Sequence, residues 1–242
     1  MQTRRQLIQW VATAGSLCLS PWAGSQTAPS RALLDSRRLR YTVSGKKSGI
    51  QYSANATLDW RRNATRYEAT WSASLLFIFK RKQTSSGSIA NETIAPQRFV
   101  DEGKRIREAS LDQKAQQVRY TEAGPAAWVP GMQDRVSLFF TLPSLITAAQ
   151  REGRTRIDMP VTGANGRADW EMDIGKPETV TTPAGTWLAT PVRRRVAAAD
   201  TAATLWYAGD HNLIPVRILM TEPDGTFLDQ RLDGQMPLPN LP

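Results

Sequence analysis

The chain has 242 residues, with 31 Lys plus Arg against 22 Asp plus Glu, one His, one Cys and 40% hydrophobic residues. It is too apolar for disorder, shows no collagen-like or low-complexity period, and is long enough for one large domain with a real core. A lone Cys excludes an intramolecular disulfide, and a lone His excludes a multi-histidine metal site.

Residues 1–25 read as a cleavable export signal. Arg4 and Arg5 precede a moderately apolar stretch, residues 7–19, and then come Pro21 and the small residues Ala23, Gly24 and Ser25. This is the layout of a secretory signal peptide cut before Gln26, and it is too interrupted for the roughly 20 apolar residues of a membrane span. Residues 3–9 also resemble a twin-arginine export signal, with the ordinary Sec route as the alternative. Leu17 before Cys18 speaks against a lipidated cysteine. Cleavage leaves 29 basic residues (31 less Arg4 and Arg5) against 22 acidic ones, a mature charge of +7. In the periplasm such a chain meets anionic lipids and envelope polymers, not nucleic acid.

Residues 26–38 are expected to form a flexible lead-in, residues 39–234 one antiparallel β domain and residues 235–242 a Pro-rich tail. From Leu39 the chain alternates with period two, the mark of half-buried strands. Leu39, Tyr41 and Val43 share a face, as do Ile50, Tyr52, Ala54, Ala56, Leu58 and Trp60. In a third run Tyr67, Ala69, Trp71, Ala73, Leu75, Phe77 and Phe79 lie on one face, with Arg66, Glu68, Thr70, Ser72 and Ser74 on the other. A four-residue loop at 61–64 would set Leu58 opposite Tyr67 and Ala56 opposite Ala69. Leu76 and Ile78 interrupt the polar face just before Lys80. Further strands are predicted over 87–93, 97–102, 105–111 and 116–122.

Over residues 134–151, Leu138, Leu142, Leu145 and Ala149 keep helical spacing, with Phe139 and Ile146 beside them. Asp134 is the expected N-cap, and Pro143 should kink the helix. Turn residues at 162–166, 183–185, 209–212 and 223–225 mark further hairpins. The expected fold is mainly β: a single antiparallel curled sheet, barrel or half-barrel, with one kinked helix packed on it.

No residue set identifies a reaction. Asp169, Glu171 and Asp173 alternate on one strand and suggest a calcium site, but Arg154 and Arg156 on the preceding strand offer a cross-strand ion ladder instead. The expected register puts Arg156 opposite Glu171, Arg154 opposite Asp173 and Ile157 opposite Trp170. His211 sits in a turn. There is no nucleophile elbow, phosphate loop or dinucleotide fingerprint, so a non-enzymatic protein without metal or cofactor is expected. The inner-face residues Tyr41, Tyr52, Ala54, Ala56, Trp60, Tyr67, Ala69, Trp71 and Ala73 are the candidate lining of an apolar ligand site, because alanines on a concave face leave volume; a filled core is the alternative. Arg61, Arg62, Lys80, Arg81, Lys82, Arg193, Arg194 and Arg195 are the candidate basic surface.

Several segments resemble a known family: residues 131–138, 178–186, Leu205-Trp206-Tyr207 with residues 213–218, residues 86–89 and residues 96–99. In this order they resemble the bacterial domain of unknown function family 3108, which implies an exported, uncharacterised β protein. The Trp-strand, turn and Pro-Val-Arg strand are also similar to the half-barrels of envelope lipoprotein carriers, which implies a concave face that holds acyl chains. The expectation is a monomeric periplasmic protein binding an amphipathic, lipid-like envelope molecule. The alternative is a structural or assembly protein docking on an anionic polymer or protein partner through its basic face.

Overall fold

A computed structural model describes residues 33–47, 49–75, 79–197, 200–209 and 213–242. The export signal, Cys18, Leu76, Phe77, Ile78 and His211 lie outside the described residues. The first eight strands are β1 (Arg37–Lys47), β2 (Ile50–Arg62), β3 (Arg66–Leu75), β4 (Phe79–Ala90), β5 (Thr93–Glu102), β6 (Ile106–Asp112), β7 (Gln117–Tyr120) and β8 (Ala126–Ala127). There follow β9 (Gln133–Asp134), helix α1 (Leu138–Arg151), β10 (Arg156–Thr162), β11 (Arg167–Ile174), β12 (Glu178–Thr182), β13 (Gly185–Arg194), β14 (Ala202–Ala208), β15 (Ile214–Thr221) and β16 (Phe227–Pro237).

These strands form one sheet in the order β8-β7-β6-β5-β4-β3-β2-β1-β16-β15-β14-β13-β11-β10-β9, with β12 paired to β13 off this path. The sheet is mainly an antiparallel meander, as the short turns demand, and it does not close into a barrel. Its edge strands β8 and β9 are separated in the chain by residues 128–132 alone. Tyr41 on β1 reaches across the neighbouring β16, where its hydroxyl donates to the Pro215 carbonyl of β15 at 2.7 Å.

The expected alternation holds: Leu39, Tyr41, Val43, Ala56, Leu58, Trp60, Tyr67, Ala69 and Ala73 are all buried on the inner face. Two expected registers do not hold. In the β2–β3 hairpin Leu58 stands opposite Trp71, Ala56 opposite Ala73 and Trp60 opposite Ala69. The turn sits later than expected because the Asn63 side chain accepts from the Thr65 and Arg66 amides at 3.0 and 2.8 Å, while the Asn63 amide donates to Arg66 O at 3.0 Å. In the β10–β11 hairpin Arg156 faces Asp173, Ile157 faces Met172 and Met159 faces Trp170. The first error is a slip of four residues and the second a slip of two, and both even slips leave every side chain on its expected face. The strand expected to run to Phe79 ends at Leu75, and Phe79 opens β4 opposite it.

The helix begins three residues after its expected start, with Ser137 as N-cap. Asp134 instead lies on β9, its carboxylate accepting from the Val136 and Ser137 amides at 2.8 and 2.9 Å. Leu138, Phe140, Leu142, Ile146 and Ala149 are the buried stripe, and Leu145 is only half-buried. Pro143 does not interrupt the helix. It lacks an amide, so the Phe139 carbonyl loses its helical donor, and the Tyr207 hydroxyl from β14 donates there instead at 3.1 Å.

The described part of the expected lead-in is packed against the domain: Leu33 and Leu34 are buried, and Trp60 Nε1 donates to Leu34 O at 2.7 Å. The tail is also tied down, with Leu238 and Leu241 amides donating to Ser36 O and Arg62 O at 2.9 and 3.1 Å.

Candidate ligand-binding face

The inner face of β2 records how the curled sheet opens. Ile50 is 73% exposed, Tyr52 and Ala54 are half-buried, and Ala56, Leu58 and Trp60 are 3%, 0% and 0% exposed. One apolar stripe therefore runs from an open rim into a closed interior. The closed end is filled from the helix, where Phe140 stacks on Trp60 with centroids 4.4 Å apart, and Trp60 stacks on Tyr67 at 5.2 Å.

The candidate lining residues divide along this stripe. Tyr41, Ala56, Trp60, Tyr67, Ala69 and Ala73 belong to the buried core, whereas Tyr52, Ala54 and Trp71 are partly open. The expected facing of Ala56 with Ala69 is replaced: Trp60 faces Ala69, and Ala56 sits between Tyr41 and another alanine, Ala73. Trp71 Nε1 on β3 donates to Gln230 Oε1 on β16 at 2.9 Å. Since β2 and β1 lie between those strands, the two side chains meet over them, in room that Ala56 provides. Tyr52 has a similar arrangement, its ring lying over Gly45, where any Cβ would collide with it.

The basic residues do not assemble into one surface. Arg61 and Arg62 stand at the opposite end of the strands from Lys80 and Lys82, since Arg62 faces Tyr67 while Lys80 faces Ser74. Lys82 pairs with Glu102 at 2.9 Å, Arg193 with Glu178 at 3.7 Å, Arg195 with Asp173 at 2.7 Å and Arg62 with Asp35 at 3.7 Å. Arg156 reaches both Glu171 (3.8 Å) and Asp173 (3.9 Å), whereas Arg154 pairs with Glu152 at 2.7 Å. The expected Arg156–Glu171 pair is thus present, with Asp173 added to it, whereas the expected Arg154–Asp173 pair is not formed. Among the described residues no acidic cluster could hold a metal ion.

Period two places the middle residue of each basic triplet on the inner face. Arg81 and Arg194 therefore stand apart from Lys80, Lys82, Arg193 and Arg195. By register the row Tyr41, Ala56, Ala73, Arg81 crosses the concave face from β1 to β4, so the apolar stripe borders a cationic one. Arg81 holds the buried Asp101 in a two-pronged contact at 3.0 and 2.8 Å. Arg107, beside Asp101 on β6, approaches the same carboxylate at 3.7 Å. Burial pushes the Asp101 carboxyl up, but the hydrogen bonds and charge of Arg81, with Gln83 and Arg107, outweigh it and hold the group below the usual carboxylate range.

Two more arginines reach this region. Arg135 follows β9 and lies against Gly163, where a Cβ would come within 2.9 Å of its Nε. It keeps access to solvent although protein surrounds most of its guanidinium. Desolvation, then repulsion from Arg81, Arg194 and Arg107 against attraction to Asp101, lowers its affinity for its proton. Arg194 lies over the Trp170 ring at 4.3 Å and donates from Nη1 to Thr201 O at 3.1 Å. Sequence reasoning missed Asp101, Arg107 and Arg135. The Asp101–Arg107 pairing was foreshadowed by the tight Gly103 turn between their strands, but Arg135 is brought in only by the curling of the sheet.

The family model described as Protein of unknown function (DUF3108) matches residues 40–233. The chain belongs to this family. The match spans β1 to β16 and so takes in the whole DUF3108 sheet with its helix. A crystal structure of a LolA superfamily protein from Nitrosomonas europaea is similar at 9% identity and a TM-score of 0.31, over 88% of this chain and 90% of that one. No curated protein matches the chain.

Proposed function

We propose that this DUF3108 protein is an exported, non-enzymatic protein of the periplasm that holds an amphipathic, lipid-like envelope molecule at the open end of its concave face. The observation that carries this reading is the exposure gradient along β2, from Ile50 at 73% to Leu58 at 0%. An apolar surface continuous with the core but uncovered at a rim suits an acyl chain better than solvent. Docking through a basic surface is the weaker reading, because carboxylates of the same chain already answer much of that charge.

Native mass spectrometry of protein purified from the periplasm tests the proposal, with a co-purifying lipid mass as the expected result. Uptake of a fluorescent fatty acid by delipidated protein, abolished by Ala54→Trp without loss of stability, would support it further. A ligand-free mass together with no fluorescence change in wild type would overturn it.

A further inference from the structure

The inner face of a β domain should be apolar, yet Arg81 and Arg107 share the buried Asp101 carboxylate, the partly exposed Arg135 lies on Gly163 beside the Asn165 that holds Arg107, and the charge of Arg194 acts on Arg135 along with theirs. Burying like charges together is unfavourable unless something of opposite sign joins them. Asp101 is already engaged by Arg81 at 3.0 and 2.8 Å. Among the described residues no carboxylate forms an ion pair within 4 Å of Arg135 or Arg194, although Asp200 attracts Arg194 from farther away, and Arg107 Nε and Arg194 Nε are buried donors with no acceptor. Arg107 Nη1 is steadied by Asn165, whose amide oxygen accepts from it at 2.9 Å when the amide is oriented to donate to Ala164 O. Gly163, one residue away from Ala164, lets the Arg135 guanidinium lie directly on the backbone. Arg81 is thus held by Asp101, whereas Arg107, Arg135 and Arg194 rest mainly on neutral groups and keep donors to spare.

We propose that Arg81, Arg107, Arg135 and Arg194 bind a phosphate monoester, and that it is the head of the amphipathic molecule whose apolar part lies along Tyr52, Ala54 and Trp71. This second half rests on the function proposed above. Guanidinium forks match phosphate oxygens two at a time, and an excess of cations suits a dianion better than a carboxylate. The row from Tyr41 through Ala56 and Ala73 to Arg81 sets the two halves of such a ligand side by side.

The test uses the exported, delipidated protein and three probes: inorganic phosphate against sodium chloride of equal ionic strength, dihexanoyl phosphatidic acid below its micelle concentration, and uncharged dihexanoylglycerol. Thermal unfolding and calorimetric titration are the readouts, with Arg107→Gln, Arg135→Gln and the outer-face control Arg61→Gln. Phosphate should raise the melting temperature where chloride does not, and phosphatidic acid should bind more tightly than phosphate. Each inner-face variant should weaken both anions about tenfold or more, leave dihexanoylglycerol binding unchanged, and melt no lower than wild type in the absence of anion, because repulsion is relieved. Equal affinity for phosphate and phosphatidic acid would keep the anion site and refute the lipid reading. Equal affinity for phosphatidic acid and dihexanoylglycerol, with no effect of Arg107→Gln or Arg135→Gln, would refute the anion site and keep the lipid reading. No phosphate-dependent shift, or the same loss in Arg61→Gln, would also overturn it.

Discussion

Asp134 should make the domain lose stability between about pH 4 and pH 6. Its carboxylate is fully buried, accepting from the Val136 and Ser137 amides and from the Ser85 hydroxyl at 2.5 Å, with Tyr67 bonded to Ser85 in turn. Burial raises its pKa from 3.8 to about 6, against the opposing hydrogen bonds of Ser85, Ser137 and Val136. The folded state therefore keeps this proton over a range where the unfolded chain has released it. Stability is full below the unfolded pKa, falls as pH rises through the interval and is flat above it. The difference between 3.8 and about 6 corresponds to about 3 kcal/mol. Asp134→Asn removes the titration but keeps an oxygen for the two amides and offers a donor to Ser85. It should match wild type near pH 4 and exceed it by up to about 3 kcal/mol at pH 8. Urea unfolding of both proteins from pH 4 to pH 8 measures this as a difference, in which the other carboxylates cancel. Asp134→Ala, which strands both amides, should be less stable than Asp134→Asn at every pH. A pH-independent difference, or an Asn variant weaker than wild type at pH 8, would refute the reasoning.

Trp60→Ala removes a fully buried indole stacked between Phe140 and Tyr67 and should cost about 3–5 kcal/mol in urea unfolding. Tyr207→Phe leaves the Phe139 carbonyl without a donor and should cost about 1 kcal/mol, whereas in a Pro143→Ala background the restored amide should erase that cost. Ala56→Trp fills the room used by Trp71 and Gln230 and should destabilise by about 1–3 kcal/mol. Export should remove residues 1–25, which intact mass of the periplasmic protein checks directly. Replacing Arg4 and Arg5 by lysines should stop export if the twin-arginine route is used and leave it intact if Sec is used.

Which residues face inward was legible in the sequence, because alternation states it directly. The pairing of strands was less so. A slip by an even number of residues preserves every face, so hydrophobic patterning cannot distinguish the registers. That choice fell to the Asn63 side chain, which moved the turn and thereby set Trp60 against Ala69 and Ala56 against Ala73. The register changed the partner of Ala56 from Ala69 to Ala73, so two alanines still face each other, beside the contact of Trp71 with Gln230. Pro143 misled for a different reason. The helix tolerates it because a tyrosine 64 residues later, Tyr207, supplies the missing donor, and no local reading of the helix contains that partner.

The basic triplets show the same principle at the level of charge. Treated as runs, Lys80-Arg81-Lys82 and Arg193-Arg194-Arg195 look like solvated surface; treated as strands, each must turn its middle residue inward. The outer members find carboxylates across the sheet, as Lys82 does with Glu102 and Arg195 with Asp173. The inner members meet Arg107 and Arg135 instead, with Asp101 as the one buried carboxylate among them. Consistency between pattern and environment holds along the rest of the inner face, from Leu39 to Trp60, and fails here, where desolvated cations replace apolar groups. A stable domain had the alternative of apolar residues at those positions, which would relieve both desolvation and mutual repulsion. Such a departure from otherwise consistent patterning is expected where a site, and not the fold, sets the residue. It is also where the open rim of β2 ends, so charge and apolar exposure meet on one surface.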